Sequence, residues 1–219
     1  MGLRGALVVL DRYRKAADWF LVPVASRMLR VNPNVVSWIA FLAAVGAGIS
    51  FFIGGGRGFL GLALVLILAN SYLDALDGKI AKMAGKASTR GDFLDHVLDR
   101  YADVFMLGGI AFNAMYCHLE VGTLALLGVL LTSYMGTQAQ AVGQGRAYGG
   151  VLGRADRLVL LFLGGLIQLI IAPSGGATWG VGVLTFGPLE WFMVLFAVLG
   201  NATAVQRAVG IWRGLAAPR

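Results

Sequence analysis

The chain is expected to fold as an all-α integral membrane protein, with six transmembrane helices and an amino-terminal interfacial helix, and three observations lead there. Of its 219 residues 58% are apolar and only 13% charged, whereas a soluble domain carries roughly a quarter charged residues. Six mostly apolar runs approach the ~20 residues that a helix needs to cross a bilayer. The basic residues, finally, are shared unevenly between alternate connections, as happens when Lys-rich and Arg-rich loops stay in the cytoplasm. The single cysteine, Cys117, excludes a disulfide framework or a cysteine-based zinc site and reads as a small buried hydrophobe. The apolar run Ala6 to Leu10, cut by Asp11 and Arg12, is too short for a signal peptide.

Each element follows in order. Between Arg4 and Val31, Leu7, Leu10, Ala17, Leu21, Val24 and Met28 recur near helical spacing against Arg12, Arg14, Lys15 and Asp18. This pattern predicts a helix lying in the interface with Trp19 and Phe20 as anchors; a merely basic topogenic flank is the alternative. Residues 1–31 thus form one unit and residues 32–219 a six-helix domain. The spans are 34–53, 59–81, 93–117, 121–142, 158–172 and 189–211, the first opened by Asn32 before Pro33, a cap followed by proline.

With both termini in the cytoplasm, seventeen of the eighteen Lys and Arg fall on the inner side and only Arg57 lies outside; residues 173–187 carry no charge. The net charge of +7 therefore reads as topology and attraction to anionic headgroups, not as nucleic-acid binding. Glycine pairs such as Gly46 and Gly48, Gly108 and Gly109, and Gly164 and Gly165 suit close helix packing.

Against this apolar background, six of the eleven acidic residues crowd between Ser71 and Asp103. Asp74 and Asp77, three apart at the end of the second span, share a helix face. Asp92, Asp95, Asp99 and Asp103 fall at i, i+3, i+7 and i+11, an arc of roughly 80° on a helix. Carboxylates so placed repel one another and are costly in a membrane helix, so something positive must sit among them. Oxygen ligands without His or Cys favour Mg²⁺ or Mn²⁺, and four carboxylates can hold two ions; paired divalent ions suit phosphate and diphosphate chemistry. The plainer reading is ion pairing with Lys79, Lys82, Arg90 and Arg100.

From Asp74 the chain reads D-x2-D-G-x2-A-K-x8-G-x3-D-x3-D, through Asp77, Gly78, Ala81, Lys82, Gly91, Asp95 and Asp99. This resembles the signature of the CDP-alcohol phosphatidyltransferases, which has Arg where this chain has Lys82 and matches at the other seven fixed positions. The resemblance implies a prokaryotic multi-pass membrane enzyme, homodimeric, with its active site at the cytoplasmic side. It implies transfer of the phosphoryl-alcohol part of a CDP-alcohol to a second hydroxyl, with release of CMP. It further implies Asp74, Asp77, Asp95 and Asp99 as ligands of two Mg²⁺ or Mn²⁺ ions, Asp99 as general base, and Gly78, Ala81, Lys82 and Gly91 around the CDP group. His96 stands inside the motif without being one of its fixed positions and reads as packing or as support to the ligands.

The acceptor is read from a basic loop, GQGRAYGGVLGRADR, with Arg146, Arg154 and Arg157, and from Gln206 and Arg207 near the carboxyl end. Ser133, Thr137, Gln140 and Gln144 add a polar stripe at helical spacing. GRADRL is similar to the segment of family members that use inositol 1-phosphate, which implies Arg154, Arg157, Arg207 and Gln140 around the acceptor phosphate; those members carry lysine about where Gln140 stands. The expected reaction joins CDP-diacylglycerol or CDP-archaeol to inositol 1-phosphate. Glycerol phosphate as acceptor, or soluble CDP-inositol as donor giving di-inositol phosphate, are the variants. A membrane prenyltransferase is a rival with separated Asp motifs, whereas here both fall within 26 residues. A divalent-ion transporter is the rival of another class, for which repeat halves and interrupted helices around a mid-membrane site are expected, and the sequence offers neither feature.

Overall fold

The computed structural model describes residues 14–145, 153–176, 178–181 and 184–216. Within them a short helix α1 (Arg14–Arg27) precedes α2 (Pro33–Ile53), α3 (Arg57–Met83), α4 (Thr89–Ala111), α5 (Leu119–Ala141) and α6 (Arg154–Ile171). A ribbon β1 (Trp179–Val181) and β2 (Leu184–Phe186) then leads into α7 (Pro188–Ala216). Among the described residues four helices, α2, α3, α5 and α7, are long and apolar enough to cross a membrane. The charges in α4 and in the first turn of α6 keep those two below that mark. Large apolar side chains such as Leu42, Val65 and Val198 stand more than 60% exposed on the bundle's outside, a surface that fits hydrocarbon and not water. The chain is a multi-pass membrane protein.

Local chemistry sets the helix starts that matter for the site. Asn32 caps α2 by accepting from the Asn34 amide at 3.0 Å, with Pro33 next in the first turn. Ser88 caps α4, its hydroxyl accepting from the Gly91 amide at 3.1 Å, so the Gly91 of the motif lies in the first turn of the helix that bears Asp95 and Asp99.

In lipid the hydrophobic effect does not drive one apolar helix onto another, so close contact and hydrogen bonds must. Glycine provides the contact twice. A Cβ on Gly48 of α2 would lie 2.2 Å from the Phe105 carbonyl oxygen of α4, and one on Gly109 would lie 2.1 Å from the Gly48 carbonyl oxygen. Gly128 of α5 meets Gly200 and Asn201 of α7 in the same way. Around these seams Phe51, Leu60, Ile67, Met106, Ile110, Met193 and Phe196 form the core.

The structure departs from the sequence expectations in four places. The third run ends as helix at Ala111 and not at Cys117: the Asn113 side chain donates to the Phe51 and Phe52 carbonyls at 2.8 and 3.1 Å and accepts from the Met115 amide, turning the chain. The fifth run begins at Arg154, because Asp156 accepts from the Gly153 amide and caps the helix before its apolar part. The charge-free connection carries the ribbon, with Trp179 opposite Phe186; strands of three residues are too short to leave a period. Finally, the amino-terminal helix ends at Arg27, before Val31, and contains Pro23. Leu7, Leu10 and Arg12 lie outside the described residues, as does Arg146. Trp19 and Phe20 are both exposed and stack edge to face.

Candidate functional site

Two acidic helix faces meet where α3 ends and α4 begins. The i, i+3 spacing puts Asp74 and Asp77 on one side of α3, and the cap at Ser88 starts α4 so that Asp95 and Asp99 share a cleft with Asp74. Asp77, Asp95 and Asp99 each feel the charge of neighbouring motif aspartates, Asp74 among them in every case. Asp77 and Asp99 are buried; Asp74 and Asp95 are half-buried. One oxygen of Asp77, Oδ2, is buried with no hydrogen-bond partner. Such an orphaned anionic oxygen is costly unless a cation or donor reaches it. Ligand atoms of Asp95, His96 and Asp99 lie within 4.8 Å of one another. An oxygen-rich donor set with an unmet carboxylate oxygen fits a hard divalent cation. His96, at 3.6 Å from Asp92 and 3.9 Å from Asp95, belongs at the edge of that set.

The positive charge expected among the carboxylates is arginine from α6. Arg154 Nη1 donates to Asp74 Oδ2 and its Nη2 to Asp99 Oδ1, each at 2.7 Å. One turn on, buried Arg157 donates to buried Asp103 at 3.0 Å. Arg100 lies 3.6 Å from Asp99 and 3.5 Å from Asp103 and donates to the Ser133 hydroxyl of α5. Lys79 turns away, pairing with Asp18 of α1 at 2.7 Å. The plainer sequence reading, ion pairing by nearby lysines and arginines, is thus met for Arg100, while Lys79 serves α1.

The remaining expected residues scatter. Gly78 is exposed, with nothing within 4 Å of where its Cβ would stand, and Gly91 approaches Ser88 and Asn34; Ala81 is half-buried and Lys82 exposed beside them. Arg207 donates to the Thr132 carbonyl at 2.6 Å, next to the Ser133 that receives Arg100. Gln140 is exposed on α5. Arg154 and Arg157, expected around an acceptor phosphate, bond to Asp74, Asp99 and Asp103, charge-assisted contacts that are strong in a poorly solvated cleft.

Two residues escape the sequence reading. Asn70 is buried one turn before Asp74, donates to the Ala40 carbonyl at 2.9 Å and leaves its Oδ1 unmet; Ser37 lines the same small cleft with Asp74, Asp95, Asp99 and Arg154. The available signal was an asparagine four residues before Asp74 within an apolar run.

An α-helical membrane protein that gathers carboxylates and arginines at one end of its bundle has the makings of an enzyme acting on an anionic substrate at a membrane. Residues 30–199 match the model of the CDP-alcohol phosphatidyltransferase family, and the chain belongs to that family. It is an enzyme of that transferase type. It is 28% identical over 211 residues to the archaetidylinositol phosphate synthase of Methanothermobacter thermautotrophicus, covering 94% of this chain and 96% of that one. Its fold is similar to the crystal structure of Mycobacterium tuberculosis phosphatidylinositol phosphate synthase with CDP-DAG bound, at a TM-score of 0.70 and 26% identity, over 87% of this chain and 92% of the other. A structure of the same mycobacterial enzyme in complex with manganese and citrate gives a TM-score of 0.71 at 26% identity, over 87% and 88% of the two chains.

Proposed function

We propose that the chain transfers a phosphatidyl-type group from CDP-diacylglycerol or CDP-archaeol to inositol 1-phosphate, in a divalent-metal-dependent reaction that releases CMP. The convergence of Asp74, Asp77, Asp95 and Asp99 from two helices, with one carboxylate oxygen unmet, carries this reading. The similarity to synthases of inositol phospholipids supports the acceptor. In this reading the four aspartates hold two Mg²⁺ or Mn²⁺ ions, and the mycobacterial structure with manganese agrees. When bound, the ions neutralise the diphosphate and the departing CMP.

The chain's own residues do the rest. Gly78 and Gly91 admit the cytidine and its phosphates close to the backbone, with Ala81 small for the same reason and Lys82 supplying a cation in place of the family's arginine. Asp99 takes the proton of the acceptor hydroxyl. That oxygen bonds to the phosphorus bearing the lipid alcohol, and the bond from this phosphorus to the CMP oxygen breaks with its electron pair. Arg154 and Arg207 hold the acceptor phosphate, with Gln140 at the rim; Arg157, held by Asp103, anchors α6 behind Arg154.

Six of the helices, α2 to α7, cross the membrane in this proposal, residues 1–31 lie in the interface, and both termini and the site face the cytoplasm. The enzyme is a homodimer, and crosslinking in membranes that yields monomer alone contradicts this. CMP release by the purified protein with Mg²⁺ tests the reaction, using CDP-diacylglycerol or CDP-archaeol against inositol 1-phosphate, glycerol 3-phosphate, serine and free inositol. Release with inositol 1-phosphate alone is expected. Release with another acceptor overturns the specificity; no release with any lipid or soluble CDP-alcohol overturns the function.

A further inference from the structure

Arg154 stands between carboxylates of two helices that α6 does not itself belong to. One terminal nitrogen of its planar fork meets Asp74 of α3 and the other meets Asp99 of α4, both at 2.7 Å, while its buried Nε has no partner. The second Asp99 oxygen faces Arg100 at 3.6 Å, so both oxygens of the base are turned toward guanidinium groups. These are the same oxygens that the proposed reaction needs for ions and for the acceptor proton. A guanidinium carries one delocalised charge and a divalent ion two compact ones, so the two compete for the oxygens and repel each other if both stay. The neighbouring pair Arg157 and Asp103, buried at 3.0 Å, ties the first turn of α6 to α4 without using Asp74 or Asp99. Arg154 can therefore let go while its helix stays docked.

We propose that Arg154 is a stand-in cation that holds the aspartate cluster together in the ion-free enzyme and is displaced by divalent ions, which frees its fork for the acceptor phosphate. The acceptor site is thus completed only after the metal site is filled. This rests on the reading of the aspartates as the metal site.

The test is Mn²⁺ binding to the purified protein, followed by electron paramagnetic resonance of the free ion, in wild type, Arg154→Ala and Arg154→Lys. Competition on the usual scale of coupling between sites makes Arg154→Ala bind Mn²⁺ about tenfold more tightly, with Arg154→Lys in between. The melting temperature of Arg154→Ala falls without Mn²⁺, and the deficit shrinks at saturating Mn²⁺. In wild type, phenylglyoxal labelling of Arg154, read by mass spectrometry, rises when Mn²⁺ is added, a measurement that needs no variant to fold. Mn²⁺ binding that is equal or weaker in Arg154→Ala, or labelling unmoved by the ion, overturns the stand-in role alone. Folded wild type and variant that both fail to bind Mn²⁺ overturn the metal-site reading together with it.

Discussion

The two ends of the bundle are held by different chemistry. At the aspartate end, α3, α4 and α6 meet through ion pairs: Arg154 with Asp74 and Asp99, Arg157 with Asp103, Arg100 between Asp99 and Asp103. Polar atoms of Asn70, Asp77, Arg154 and Arg157 remain buried and unmet there. At the opposite end mostly neutral side chains tie helix ends to backbone. Asn113 donates to the end of α2, the Tyr116 hydroxyl to the Pro173 carbonyl at 2.9 Å, and Gln168 bridges α6 to α7 by donating to Ala172 and accepting from the Leu189 amide. The only carboxylate in this set, Glu190, accepts both the His118 amide at 2.7 Å and the His118 ring Nδ1–H at 2.6 Å. Unmet polar atoms at one end and satisfied ones at the other teach where ligand binding is to complete the structure and where folding already has.

Breaking the aspartate end at its reactive group has the largest effect. Asp99→Asn removes the proposed base and is expected to lower the rate of CMP release by about 10²–10⁴-fold while CDP-alcohol binding persists; full turnover in this variant would falsify the assignment. Next comes Asp103→Asn, which leaves Arg157 charged and buried without its partner. Removing one member of a buried pair costs roughly 3–5 kcal/mol, read as a lowered melting temperature in detergent. The double replacement Asp103→Leu with Arg157→Met should recover much of it, and no recovery would assign Asp103 a role beyond the pair.

The opposite end responds more mildly and through stability alone. Glu190→Gln weakens two charge-assisted hydrogen bonds and should cost about 1–3 kcal/mol, with CMP release unchanged below the melting point. A slowed reaction at low temperature would mean the two ends are coupled. The smallest effect is a pH dependence. Glu190 holds the exposed His118 imidazolium above its ordinary value of 6.5, through its hydrogen bond and its charge. A group whose folded value is raised stabilises fully below its unfolded value and loses that contribution as pH rises through the folded one. The melting-temperature gap between wild type and His118→Gln should therefore be widest below pH 6.5 and narrow as the pH is raised. A gap independent of pH would show that the bond is made by neutral imidazole.

The aspartate motif was legible because its geometry is local. Spacings of three, four and seven residues put side chains on one helix face whatever the rest of the chain does. The helix starts at Asn32 and Ser88 rest on equally local capping chemistry, although only the first was read. Helix ends were less legible, since the break at Ala111 depends on Asn113 reaching the carbonyls of α2 some sixty residues away. Asn70 was missed because a lone asparagine in an apolar run has no periodic signature; it gains meaning from Ala40 and the cleft around it.

Composition and short-range spacing by themselves determined that this is an apolar helical membrane protein with a carboxylate cluster suited to divalent ions, because hydrocarbon content and helical period are properties of neighbouring residues; the CDP-alcohol reading rested on the motif's resemblance to a known family. Only the tertiary structure decided which cations answer those carboxylates. Arg154 lies 80 residues from Asp74 and Arg157 lies 54 from Asp103. No sequence pattern records such distances. They follow from glycine seams that let α2 close on α4 and α5 on α7, and from the docking of α6 on α3, where a buried charge must be met by whichever opposite charge the packing brings within reach.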